Sequence, residues 1–212
     1  MSVRRIPKNY LVVTGRMHTR HAKQLLEFES LQEKDFLLLL CDDDDVLSVE
    51  VQPVRIPVKG VPNGYVPDVL VHYRKESGRP SELTEVKTRE DLEVNKEKYA
   101  PKFKAAEAYC AERGWIFLKK SQEDFPEERL KNIKYLRAFH RQPPDASAST
   151  RLLAWLTEQG QNSTVGELLD AHEDEDGEMT AHFWGCVAHR RILLDLDAPM
   201  ERAAWIIPGA AS

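Results

Sequence analysis

Apolar positions along the chain change their period several times, and each change predicts an element. Over Ala22–Leu40, residues Leu25, Leu26, Phe28, Leu31 and Phe36 to Leu40 fall at helical spacing in the early part, with Glu29, Gln32, Glu33 and Lys34 between them. The spacing predicts a helix that stops at the Asp42–Asp45 run, where adjacent like charges oppose the helix dipole. Val46–Val58 is largely β-branched and partly alternating, which predicts a strand broken at Pro53 and Pro57. Pro62-Asn63-Gly64 predicts a turn, Tyr65–Tyr73 a second strand, Ser77–Pro80 another turn and Glu82–Lys87 a short third strand. Three such strands make an antiparallel meander. Glu90–Gly114 carries the longest helical stripe, through Leu92, Tyr99, Phe103, Ala106, Tyr109 and Cys110, with Gly114 at its C-cap. Trp115–Leu118 follows as a buried strand, and Glu127–His140 as a helix led in by Pro126. A strand reached through a crossover helix can lie parallel to the strand before it. The expected fold is therefore α/β, a mixed β-sheet flanked by helices.

Arg141–Ser149 breaks this rhythm with two prolines and a run of small residues, and residues 143–149 read as a linker. Beyond it, Thr150–Gln159, Thr164–Ala171 and Thr180–Ala188 predict three short helices. Arg191–Leu196 and Ala204–Ile207 predict a hairpin around Ala198-Pro199. Three helices and a two-stranded wing make a small winged-helix-like domain over 150–212, with Trp155, Trp184 and Trp205 expected in its core. The expected organisation is an arm over 1–23, a body over 24–142, the linker, and this last domain.

Composition narrows the class. The 212 residues are 42% apolar and 31% charged, which excludes a collagen, a coiled-coil rod or a disordered chain. No run of 18 apolar residues predicts a membrane span, and no apolar stretch near the N-terminus predicts a signal peptide. Cys41, Cys110 and Cys186 lie far apart with no C-x-x-C, so a reducing, cytoplasmic setting is expected. Charge is divided unevenly. Residues 1–23 carry Arg4, Arg5, Lys8, Arg16, Arg20 and Lys23 and no acid, which favours a polyanion such as DNA, or else a solvated extension. Residues 151–212 hold four basic against eleven acidic residues, a net of −7, which favours a protein partner or solubility over nucleic acid. Lys96, Lys98, Lys102 and Lys104 punctuate the long helix; DNA backbone and solvent are equally consistent with them. Asn95 or Lys98 could also reach a scissile group.

The sharpest chemical pattern is Pro67-Asp68 followed by Glu85-Val86-Lys87. Strand alternation puts Glu85 and Lys87 on one face and Val86 in the core, and Asp68 converges from the neighbouring strand. Two carboxylates and the Val86 carbonyl suit Mg²⁺, which takes hard oxygen ligands. Lys87 can orient and help deprotonate a water, then offset charge on a phosphorane-like transition state. Such a set suits metal-assisted hydrolysis of a phosphodiester; an exposed ion pair on an edge strand is the plainer alternative. Glu29 and Glu33, four apart, share a helix face and are both candidates for a third carboxylate.

Five blocks carry a family resemblance: Ile6 to Tyr10 with Thr14-Gly15-Arg16, Phe28 to Phe36, Val51 to Val54, Tyr65 to Val71, and Glu85-Val86-Lys87. In that order, over roughly residues 4–140, the chain resembles the TnsA endonuclease subunit of Tn-seven-type transposons. The resemblance implies a restriction-endonuclease-like catalytic domain over 24–142. It implies catalytic Glu33, Asp68, Glu85 and Lys87, with Mg²⁺ on Asp68, Glu85 and the Val86 carbonyl and Glu33 acting through water; Mn²⁺ would substitute. Where the best-known family member has Gln, this chain has Glu85, which should strengthen metal binding. The implied activity is cleavage of the 5′ strand in double-stranded DNA at transposon ends beside a TnsB-like transposase. The arm residues Arg4, Arg5, Lys8, Arg16 and Arg20 would meet DNA, and the last domain a TnsC-like ATPase regulator. A stand-alone restriction or junction-resolving nuclease, and a non-catalytic scaffold between transposase and regulator, are the competing readings.

Overall fold

The computed structural model describes residues 15–17, 25–159, 163–172 and 178–207. The chain divides into two compact units, Met1–Phe125 and Pro126–Ser212. In the first unit, β1 (Gly15–Met17) pairs antiparallel with β2 (Leu26–Phe28), so part of the expected arm belongs to a hairpin-like pair. The other arm positions, Arg4, Arg5, Lys8, Arg20 and Lys23, lie outside the described residues.

The expected helix over 22–40 is shorter than its pattern. It begins only at α1 (Leu31–Asp42), because Ser30 caps it: the Ser30 hydroxyl accepts from the Glu33 N–H at 3.1 Å. Leu26 and Phe28, two apart and both buried, follow the strand period instead. The acidic run ends α1 as expected, and Asp43 is held there by Arg79 at 2.7 Å. The next strand splits into β3 (Val46–Val51) and β4 (Ile56–Val58) around Pro53, and β5 (Val61–Tyr65) returns against β4. The turn falls at Gly60, φ 81°, and not at Pro62-Asn63-Gly64, which lies inside β5. Gly64 is needed for another reason: at φ 63° a Cβ there would sit 2.6 Å from the Ile56 carbonyl oxygen.

Next come β6 (Val69–Tyr73), β7 (Glu82–Val86), α2 (Arg89–Val94), α3 (Lys96–Ala111) and β8 (Ile116–Lys120). Tyr65 thus belongs to β5 rather than to the strand that follows, and the long helix is interrupted at Asn95. The main sheet has the order β3-β6-β7-β8, antiparallel except for β7 and β8, which run parallel across the α3 crossover. β8 is only half buried, against expectation, since it lies at the sheet edge. Leu70 and Leu83 join Ala106 and Cys110 of α3 in one core cluster. Their strand neighbours Val69, Val71 and Val86 are buried on the opposite face, and α1 packs on β3 and β7. The expected mixed sheet with flanking helices is present.

The second unit starts earlier than its sequence suggests. Helix α4 (Glu127–Leu136) and a 3₁₀ turn at Arg137–Arg141 belong to it, because Leu136 joins its core and the Asn132 amide donates to the Leu196 and Ala198 carbonyls at 3.0 and 2.8 Å. The expected linker differs too: α5 (Ala146–Gln159) begins inside it, with Ala148 and Ser149 buried. Small residues here serve close packing, not flexibility. Helices α6 (Val165–His172) and α7 (Glu178–Ala188) and the antiparallel pair β9 (Leu193–Leu194) and β10 (Ile206–Ile207) complete the unit. Phe183, Leu152 and Leu168 form its dry centre with Trp184, and Trp155 packs at the edge. Trp205 is not core: it is 62% exposed, since alternation on so short a strand turns only Ile206 inward.

Candidate active site

Asp68 lies in the bend just before β6, not within the strand. The β6–β7 register, Val69 opposite Thr84 and Leu70 opposite Leu83, continues to place Asp68 across from Glu85. Both therefore face α3's side of the sheet, at its open end. The Asp68 Oδ2 accepts from the Val86 N–H at 2.8 Å, which fixes the carboxylate across the two strands. Lys87 follows β7, with its backbone N–H bonded to the Lys120 carbonyl at 3.0 Å.

The Lys87 ammonium sits where three oxygens meet. Its Nζ lies 3.1 Å from Asp68 Oδ2, 3.2 Å from Glu85 Oε1 and 3.1 Å from the Val86 carbonyl oxygen. These are the three groups expected to hold a cation, and the one they surround here is the Lys87 ammonium. The other Glu85 oxygen, Oε2, accepts from the Tyr65 hydroxyl at 2.7 Å in a buried contact. Tyr65 is fixed in turn by edge contacts with Phe103 and Phe117, at ring separations of 6.3 and 6.5 Å. Tyr65 so dictates which Glu85 oxygen turns to the cleft.

Negative charge is in excess here. Burial, and then the Asp68 charge, push the Glu85 carboxyl up to about 7. The same two causes raise Glu33 above the ordinary carboxylate range. Burial alone would lower Lys87, but Asp68 and Glu85 outweigh it and hold the ammonium well above the lysine range. In this arrangement the Lys87 ammonium donates to its neighbours and offsets their charge. Among the described residues, no three Asp, Glu, His or Cys side chains form a group able to hold a metal ion. The donors fit a Mg²⁺-type ion all the same, because such an ion takes one or two carboxylates and keeps its remaining positions for water and phosphate.

Glu33 lines the same cleft, but its carboxylate is already engaged. Oε2 accepts from the Glu29 N–H at 2.9 Å and Oε1 from the Ser30 hydroxyl at 3.1 Å, a variant of the helix capping box. A water-mediated role is the one open to it. Glu29 precedes α1, so the shared helix face expected for the pair is absent; its Oε1 accepts from the Gln52 amide at 3.1 Å. Gln52 is a cleft residue that the sequence did not disclose. It is buried, its N–H donates to the Asp68 carbonyl at 2.7 Å, and it adopts a left-handed φ of 46° directly before Pro53. That backbone costs energy for a non-glycine residue, and it braces the chain beside Asp68. Tyr65 was also missed; its only signal was its place in the Tyr65-Val66-Pro67-Asp68 run. Of the expected DNA contacts, only Arg16 is described, and it is paired with Glu27 at 2.7 Å.

The cleft spans about 1090 Å³ and is lined by Glu29, Glu33, Asp68, Glu85 and Lys87 together with Arg55, Lys98 and Lys102. A mixed sheet flanked by helices, with paired carboxylates and a lysine at its open end, defines a restriction-endonuclease-like α/β domain. Within that class, residues 43–119 match the TnsA-like endonuclease N-terminal family. This stretch is thus similar to a TnsA-like endonuclease domain; the match covers Asp68, Glu85 and Lys87 and leaves α1 with Glu33 wholly outside. No curated protein matches the chain. No helix among the described residues is long and apolar enough to cross a membrane.

Proposed function

We propose that the chain is the endonuclease subunit of a Tn-seven-type transposition system, cutting the 5′ strand at transposon ends beside a TnsB-like transposase. The observation that carries this reading is the convergence of Asp68, Glu85 and the Val86 carbonyl on one cationic point inside a TnsA-like domain. Those three groups would hold Mg²⁺, or Mn²⁺ in its place, with Glu33 reaching it through water. When bound, the ion lowers the pKa of a coordinated water and polarises the phosphoryl oxygen. Asp68, fixed by the Val86 N–H, and Glu85, fixed by Tyr65, hold their oxygens in place before substrate arrives. Lys87 remains an ammonium and donates to a non-bridging phosphate oxygen, where charge grows as water adds to phosphorus and the bond to the leaving sugar oxygen breaks.

The second unit is the partner domain in this reading. It would act as a winged-helix-like module that meets a TnsC-like ATPase regulator, supported by its acidic balance and by exposed Trp205 and Ile207. The basic arm would lie on DNA, in a cytoplasmic protein whose three cysteines lie far apart in the sequence. The test is a strand-specific cleavage assay on transposon-end duplex labelled on either strand, with and without the co-encoded transposase. The expected product is a Mg²⁺-dependent nick in the 5′ strand, absent in Asp68→Ala. Cutting of both strands without the transposase would favour a stand-alone nuclease. Complex formation without any cutting would favour a scaffold.

A further inference from the structure

The cleft has cations on the side of α3 and the β4–β5 hairpin that the carboxylate chemistry does not use. Lys98 and Lys102 lie one turn apart on α3 and line the cleft, flanking the Tyr99 ring at 5.9 and 5.6 Å. At 100° per residue, Lys96 and Lys104 point away from that side, and neither lines the cleft. Arg55 reaches the same space from the start of the hairpin, its guanidinium held by the Asn63 carbonyl. The hairpin and α3 share a core through Ile56, Val58, Tyr65 and Ala106, so these three cations sit on one braced surface. Among the described residues none of the three has a carboxylate partner, although Glu29, Glu33, Asp68 and Glu85 line the same cleft. Lys87, by contrast, is fully paired.

We infer that Arg55, Lys98 and Lys102 form a phosphate wall that holds the DNA strand beside the scissile bond. This rests on the nuclease reading above and adds the surface that positions the strand. Cations with no carboxylate partner among the described residues, next to an excess of carboxylates, call for a ligand that carries its own spaced anions. An open cleft of about 1090 Å³ has room for a run of a polymer. Tyr99 is too buried to stack on a base, so the wall reads phosphate and not sequence.

The test is the salt dependence of binding of the full chain to a transposon-end duplex, measured without divalent cation. It compares wild type, Lys98→Gln/Lys102→Gln and the off-cleft pair Lys96→Gln/Lys104→Gln, with thermal melts to verify folding. Loss of two phosphate contacts should lower the slope of log K against log salt by about 1.8, while the off-cleft pair keeps the wild-type slope. Arg55→Gln should lower it by about 0.9. Equal slopes in both lysine pairs would overturn the wall and leave the nuclease reading standing. A folded wild-type chain with no salt-dependent binding would overturn both.

Discussion

Asp68 and Glu85 face the same cleft but are held differently. Asp68 is tied across the strands by a backbone donor, whereas Glu85 is buried between Tyr65 and Lys87. With its carboxyl raised from 4.5 to about 7, folded metal-free protein keeps a proton in that window that the unfolded chain has released. Stability should therefore fall as pH rises from about 4.5 to 7, by on the order of 3 kcal/mol from this group. Urea unfolding at pH 5 and pH 8 measures it: Glu85→Gln should remove most of the difference and exceed wild-type stability at pH 8. A wild type whose stability does not change across that window would refute the assignment. The paired carboxylates and Lys87 were legible in the sequence because strand period sets Glu85 and Lys87 on one face, the apolar strands around them put Asp68 next door, and the family resemblance picks out the same residues. Tyr65 and Gln52 were not, since a tertiary hydrogen bond and a left-handed φ leave no periodic trace.

Elements follow the same division. The strands, the parallel crossover and most helices are visible in apolar period, which is the signal that burial writes into sequence. The start of α1 was misplaced because an apolar run hid a local cap, although Ser30 and Glu33 stand at capping-box spacing. On β7 one side chain works against the sheet. The Thr84 hydroxyl is fully buried and has no hydrogen-bond partner among the described residues. Thr84→Val keeps shape and β-branching while removing that group, and should stabilise the first unit by about 1 kcal/mol. Thermal or urea unfolding of the full chain checks this; destabilisation by a similar amount would mean that the hydroxyl is satisfied in solution.

For the whole molecule, the division into units was only partly legible. Proline and small residues at 143–149 signal a linker, yet Leu136 and Asn132 commit α4 to the second unit and Ala148 and Ser149 are packed. A fragment of residues 126–212 should accordingly unfold cooperatively, and one of residues 150–212 should not, because it loses Leu136, Ala148 and the Asn132 bonds. Circular dichroism melts of both fragments distinguish the outcomes; cooperative unfolding of the shorter one would restore the boundary at 150. A cation site formed by Asp68 and Glu85 is tested most directly by Mn²⁺ titration of the full chain without DNA, followed by electron paramagnetic resonance. Wild type should bind Mn²⁺, and the affinity should fall at least tenfold in folded Asp68→Asn and in folded Glu85→Gln. Undiminished Mn²⁺ affinity in both variants would contradict such a site.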